Sequence, residues 1–192
     1  VTSAPERWRL SGWEVLAAGL NVSYTYLYIQ GQPVAFAAAF AGALLYARIC
    51  RVRRLLAESA LWLFYALVAI GGAFNWFRQG WDPTPAPPAG WRDLYHLPLI
   101  ALCLILWWFT AQYLRTRTQA LSPFLDAFTT VFSIPATLLM MAWIPSQWYY
   151  WLVINAVSIG LYLRHRLWAG AAMYLLYWGL GAWGLWRYLA GA

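Results

Sequence analysis

The chain has no lysine: all 13 of its basic residues are arginine. Charge of either sign is scarce, at 10% of 192 residues, where a soluble domain carries roughly 25%. Cysteine is almost absent. Cys50 and Cys103 are two lone residues, one near a helix end and one inside an apolar run. They read as packed thiols rather than as a disulfide or a metal pair. No HExxH, CxxC, GxSxG, Walker-type or glycine-rich dinucleotide motif occurs. Enzymatic chemistry is therefore unsupported, and no cofactor is expected.

Apolar and aromatic residues fill the space that charge leaves. The chain is 63% hydrophobic, has 15 tryptophans and a mean hydropathy of +0.54, so it is an integral membrane protein. Apolar stretches lie at 14–30, 33–50, 58–78, 98–114, 124–143, 147–163 and 168–188. Each is 17 to 21 residues long, enough to cross a bilayer. Seven helices are predicted. The weakest boundaries are Gln30 to Pro33 and Trp143 to Gln147. No cleavable signal peptide is expected, because Glu14 interrupts the first apolar stretch early.

Arginine placement sets the orientation. Arg7, Arg9, Arg48, Arg51, Arg53, Arg54, Arg115, Arg117, Arg164 and Arg166 all fall on one side of a seven-span chain, leaving Arg78, Arg92 and Arg187 on the other. The bias predicts a multi-pass inner-membrane protein with a cytoplasmic N-terminus and an external C-terminus. The excess of positive charge is thus a topology signal, with no nucleic-acid partner implied. His96 and His165 then lie on opposite membrane sides and cannot share a metal or haem.

The sequence also repeats. A gapless shift of 112 residues superposes Glu14 on Asp126, Pro33 on Pro145, Arg54 on Arg166, Trp62 on Tyr174, Tyr65 on Tyr177, Gly72 on Gly184 and Trp76 on Tyr188. A three-helix unit repeated directly would be inverted; one intervening span restores its orientation. The predicted organisation is all-α, with a first three-helix repeat at 1–78 and a second at 124–192. Between them, 79–123 holds an outside proline-rich loop and a linker helix at 98–114. Proline from Pro83 to Pro88 stiffens that loop into extended conformations. Such 3+1+3 arrangements place a substrate site near the midplane, between the repeats.

Several residues could serve such a site. Trp151 and Asn155 share a helix face. Measured from Gln147, Asn155 is eight residues deep, about 12 Å at 1.5 Å per residue. An amide at that depth needs a partner. An aromatic ring one turn away would stack on a flat ligand while the amide bonded its edge; interhelical bonding is the alternative. Trp148 fits an interfacial aromatic belt better than a site. Asp126 and Glu14 each open a repeat, where capping a helix and relaying ions or protons are equally open roles. Tyr174, Tyr177 and Trp178 form one aromatic face that serves either packing or the wall of a pocket.

With Asp126, Ser133, Trp148, Trp151, Asn155, Ser158, Tyr162, Trp168, Tyr174 and Gly184 in view, the C-terminal half resembles the PnuC family of vitamin transporters. The similarity runs from Asp126 to Ser133 and from Trp148 to Ser158, within a pattern of about 60 residues whose hallmark is WxxxN. The resemblance implies a SWEET-like 3+1+3 fold, a homotrimer and facilitated diffusion of nicotinamide riboside, thiamine or riboflavin. It also implies a cytoplasmic kinase that traps the vitamin, as a functional and not a physical partner. Trp151 and Asn155 then contact the substrate. Trp62, Tyr65, Asn75 and Trp76 of the third span, with Tyr174 and Tyr177 of the seventh, complete the candidate site. The first repeat departs, with Ala39 and Ala43 where the second has Trp151 and Asn155, and Phe36 and Phe40 as the nearest aromatic substitutes. The expected function is facilitative transport of a vitamin-like aromatic molecule by alternating access, nicotinamide riboside first and thiamine second. The alternatives are a non-transporting scaffold or sensor subunit and a membrane enzyme using Glu14 or Asp126 as its acid.

Overall fold

The computed structural model describes residues 4–79, 92–142 and 144–190. Among them the secondary structure is helical: α1 (Ala4–Ile29), α2 (Ala35–Val52), α3 (Leu56–Gln79), a 3₁₀ turn (Asp93–Tyr95), α4 (His96–Arg117), α5 (Pro123–Met141), α6 (Gln147–Arg164) and α7 (Trp168–Ala190). The proline-rich loop expected at Asp82 to Pro88 lies outside the described residues. Four of the helices qualify as membrane spans on length and hydropathy alone: α2, α3, α4 with its leading turn, and α5. Tyrosine, tryptophan, glycine and arginine lower the hydropathy of α1, α6 and α7. At 26, 18 and 23 residues, these are roughly 39, 27 and 35 Å long, against a hydrocarbon core of roughly 30 Å. The seven form one membrane bundle.

Helix α2 lies between α1 and α3, and α6 lies between α5 and α7. The linker α4 packs chiefly on α5, with His96 at its start bonded to Tyr150 of α6, and only 11% of its span is buried. The halves meet through α3 with α5 and α1 with α7. Because the 112-residue shift carries α1 to α5 and α3 to α7, these two junctions are images of one another. Cys50 and Tyr162, themselves 112 apart, touch at 3.5 Å between Sγ and the hydroxyl. Equivalent residues meet only at an axis relating the halves.

The turns repeat bond by bond. After α2, the amides of Arg53, Arg54 and Leu55 donate to the carbonyls of Ile49, Arg51 and Cys50. After α6, the amides of His165, Arg166 and Leu167 donate to Leu161, Leu163 and Tyr162. Each is a Schellman closure with a fully buried leucine following the turn. The left-handed position is held by arginine in both, at φ 58° for Arg54 and 57° for Arg166. A side chain costs about 1 kcal/mol or more in that region. The turn after α1 instead uses Gly31, at φ 66°, where the conformation is free.

Close helix contact is symmetric too. A Cβ on Gly72 would stand 2.5 Å from the Phe36 ring, and one on Gly184 would stand 2.7 Å from the Trp148 ring. The first aromatic of α2 and of α6 thus packs directly against a glycine of α3 and of α7.

Candidate functional site

One stripe of α6 faces the interior. Trp151, Asn155, Ser158 and Tyr162 follow one another at spacings of four, three and four, the repeat that keeps residues on one helix face. Burial deepens along it. Trp151 is half-buried, and Asn155, Ser158 and Tyr162 are 3%, 1% and 0% exposed. Asn155 stands eight residues into an 18-residue helix, about 12 Å from its start and close to mid-depth.

Tyr162 terminates the stripe toward the arginine-rich end. Its hydroxyl accepts from Trp62 Nε1 at 2.8 Å and donates to Glu58 Oε2 at 3.5 Å. Its ring meets Tyr174 edge-on at 4.8 Å and Tyr46 at 6.1 Å, while Tyr46 stacks on Trp62 at 4.6 Å. All five residues are buried. They plug this end of the seam with rings held by hydrogen bonds from both halves. One turn further in, the Tyr65 hydroxyl lies close to Ser133 and Thr137 of α5. Pro135 lies between those two and removes the amide that would have closed on Val131.

Buried polar groups left over mark where a ligand could bond. Among the described residues, Tyr46 Oη, Glu58 Oε1, Thr130 Oγ1 and Ser158 Oγ are buried without a hydrogen-bond partner. Each such group costs roughly 1–3 kcal/mol. Ser158 sits one turn from Asn155 on the same stripe, and Tyr46 is its equivalent 112 residues earlier. Glu58 and Tyr46 escape a reading based on spacing; the signal that would have found Glu58 is simply an acid inside an apolar run.

The other candidates fall as follows. Trp62 and Tyr174 are in one aromatic cluster, with Tyr65 and Tyr177 packed against it. The Tyr177 hydroxyl donates to the Asn21 carbonyl at 3.0 Å, tying α7 to α1. Trp151 packs elsewhere, against Cys103, Phe132, Ala136 and Ile154, and its indole N–H donates to Gln147 Oε1 at 3.1 Å. Trp148 rests on Gly184. Asn75 is exposed, and Trp76 lies 6.5 Å from Phe36.

The carboxylates hold helix ends across the two halves. Asp126, fully buried, accepts from the amides of Ala57 at 3.0 Å and Glu58 at 2.7 Å, at the start of α3. Its counterpart Glu14 accepts from the amide of Gly170 at 3.0 Å, at the start of α7. Residues 58 and 170 are again 112 apart. Each half's first helix thus caps the other half's third, where unpaired amides and the helix dipole favour an anion. His96 and His165 lie at opposite bundle ends. His96 bonds Tyr150 and Ser146 at the start of α6, and His165 bonds Ser122 beyond its end.

Seven helices in a 3+1+3 order enclose a polar and aromatic seam between two related halves, an architecture that multi-pass membrane transporters use. Residues 11–189 match the nicotinamide mononucleotide transporter family, and the chain belongs to it. Among solved structures, the crystal structure of the vitamin B3 transporter PnuC is similar, with a TM-score of 0.67 at 22% identity over 97% of this chain and 83% of that one. At that identity the likeness bears on the fold. No curated protein matches the chain.

Proposed function

We propose that the chain carries a flat, vitamin-like aromatic molecule across the membrane by facilitated diffusion, with nicotinamide riboside as the first candidate and thiamine as the second. The observation that carries this reading is the α6 stripe: a buried amide at mid-depth, Asn155, beside the unpartnered hydroxyl of Ser158. Family membership and the fold likeness support it. Asn155 selects by hydrogen bonding at the substrate's edge. Trp151, one turn outward, stacks on the ring after turning from its packing on Ala136 and Phe132. Tyr65, Tyr174, Tyr177 and Trp62 complete the wall, and Asp126 acts by holding α3 in place rather than by touching the substrate.

Alternating access follows if units 1–78 and 124–192 rock about this site, with α4 as the link. The Tyr162 plug then closes one side. In this reading the arginine-rich face is cytoplasmic, the protein sits in the inner membrane as a homotrimer, and a cytoplasmic kinase traps the vitamin.

Calorimetric titration of the purified protein in detergent with nicotinamide riboside, thiamine and riboflavin tests the proposal, with Asn155→Ala as control. Loss of an amide contact in a dry site should weaken binding roughly 5- to 150-fold. Binding of one ligand with no change in a well-folded Asn155→Ala variant would remove Asn155 from the site. Silence from all three would remove the ligand class.

A further inference from the structure

We infer that the arginine-rich end of the bundle carries a phosphate-binding groove, built jointly by the two equivalent interhelical turns. A cavity of about 280 Å³ opens there, and its floor is formed by Arg53 and Arg54 from one turn and Arg164 and Arg166 from the other, with His165 among them. Four arginines from segments 112 residues apart line one space. Arg53 Nε is buried with no hydrogen-bond partner, though the Glu14 carboxylate lies within its electrostatic reach. Like charges lining one cavity repel until an anion joins them, and guanidinium forks match the oxygens of a phosphate.

Membrane topology does not account for this arrangement. The positive-inside rule needs basic residues anywhere in the short connections; it needs neither convergence nor a particular backbone. Turn chemistry does not account for it either. Arg54 and Arg166 occupy left-handed positions at φ 58° and 57°, while the same motif after α1 uses Gly31. Glycine would close both turns without strain, so the side chains must be held there for what they reach.

The rim indicates the kind of phosphate. Val52 and Leu121, which also line the cavity, are 49% and 59% exposed. An apolar lip beside a cationic floor fits a phosphodiester that carries acyl chains, the chemistry of an anionic lipid headgroup at a basic pocket between helices. Soluble phosphate shares the charge and geometry but gains nothing from the lip.

Delipidated full-length protein, titrated with phosphatidylglycerol and with phosphatidylcholine under native mass spectrometry, tests the groove. Phosphatidylglycerol should be retained over phosphatidylcholine. Each arginine removed should weaken it about 5-fold, so that Arg54→Gly with Arg166→Gly costs about 25-fold. Because glycine suits both backbone positions, this double variant should unfold no earlier than the parent. Arg164→Gln, exposed at the end of α6, supplies a second variant with no backbone consequence. Inorganic phosphate that displaces the lipid at millimolar concentration would identify a site open to soluble phosphate as well; failure to displace would restrict it to lipid. Equal retention of the two lipids, or undiminished phosphatidylglycerol binding in both variants, would overturn the proposal.

Discussion

Replacing Asp126 with alanine removes the acceptor for two buried amides at once. Ala57 and Glu58 donate to it at 3.0 and 2.7 Å, and all three residues are at most 7% exposed. An ordinary surface cap is worth about 1 kcal/mol. Here water cannot replace the lost acceptor, so each orphaned amide costs roughly 1–3 kcal/mol. Relief from burying the carboxylate offsets part of this, which leaves a net loss of about 3 kcal/mol. For a chain of this size that is a fall of roughly 6–12 °C in the unfolding midpoint. Asp126→Asn keeps one accepting oxygen and should lose about half as much. Unfolding of the detergent-solubilised protein, followed by intrinsic fluorescence, measures both. An alanine variant that unfolds within 1 °C of the parent, or an asparagine variant worse than alanine, would refute the account of Asp126 as a cap across the halves.

Gly184→Ala should destabilise by about 1–3 kcal/mol, because the new methyl would meet the Trp148 ring at 2.7 Å; Gly72→Ala should do the same against Phe36, and unchanged midpoints would show that the rings simply move aside. Trp62→Phe keeps the stack on Tyr46 but strips the 2.8 Å bond to Tyr162, so it should cost about 1 kcal/mol in the same melt. His165 gives a pH dependence. Burial, and after it the charges of Arg164 and Arg53, hold its proton affinity below the ordinary 6.5. The folded state keeps the ring neutral while the unfolded chain protonates, so its contribution is present above pH 6.5 and is lost as pH falls below that value toward the folded pKa. Midpoints measured between pH 7.5 and 5 should fall less in His165→Gln than in the parent; parallel curves would show that His165 does not set the slope.

The helices were legible because membrane spans announce themselves by length and composition, while Gln30 to Pro33, one of the weakest boundaries in the sequence, is where the chain turns through Gly31. The start of α1 was not. The apolar count begins near Glu14, whereas α1 begins at Ala4, since hydropathy registers the part of a helix in lipid and is blind to one that extends beyond it. Asn155 was visible as an amide in an apolar run. The repeat paired Glu14 with Asp126 but could not show what they hold, because their partners are 156 and 68 to 69 residues away and no local period encodes contacts across halves. The Tyr46, Trp62 and Tyr162 stack was hidden for the same reason. Glu58 sits three residues into α3, four after the arginine pair Arg53 and Arg54, where an acid reads as the end of a span until packing buries it.

The crossed caps bear on how the bundle can move. Three hydrogen bonds to Glu14 and Asp126 join the halves near one membrane face, and bonds to charged acceptors contribute roughly 1.5–3 kcal/mol apiece. Parting the halves there would forfeit all three, and the Trp62–Tyr162 bond with them. Rotation about those bonds forfeits none. If the halves rock about the midplane site as proposed, opening this face must break those bonds while opening the opposite face need not, so the arginine-rich face is the costlier of the two gates.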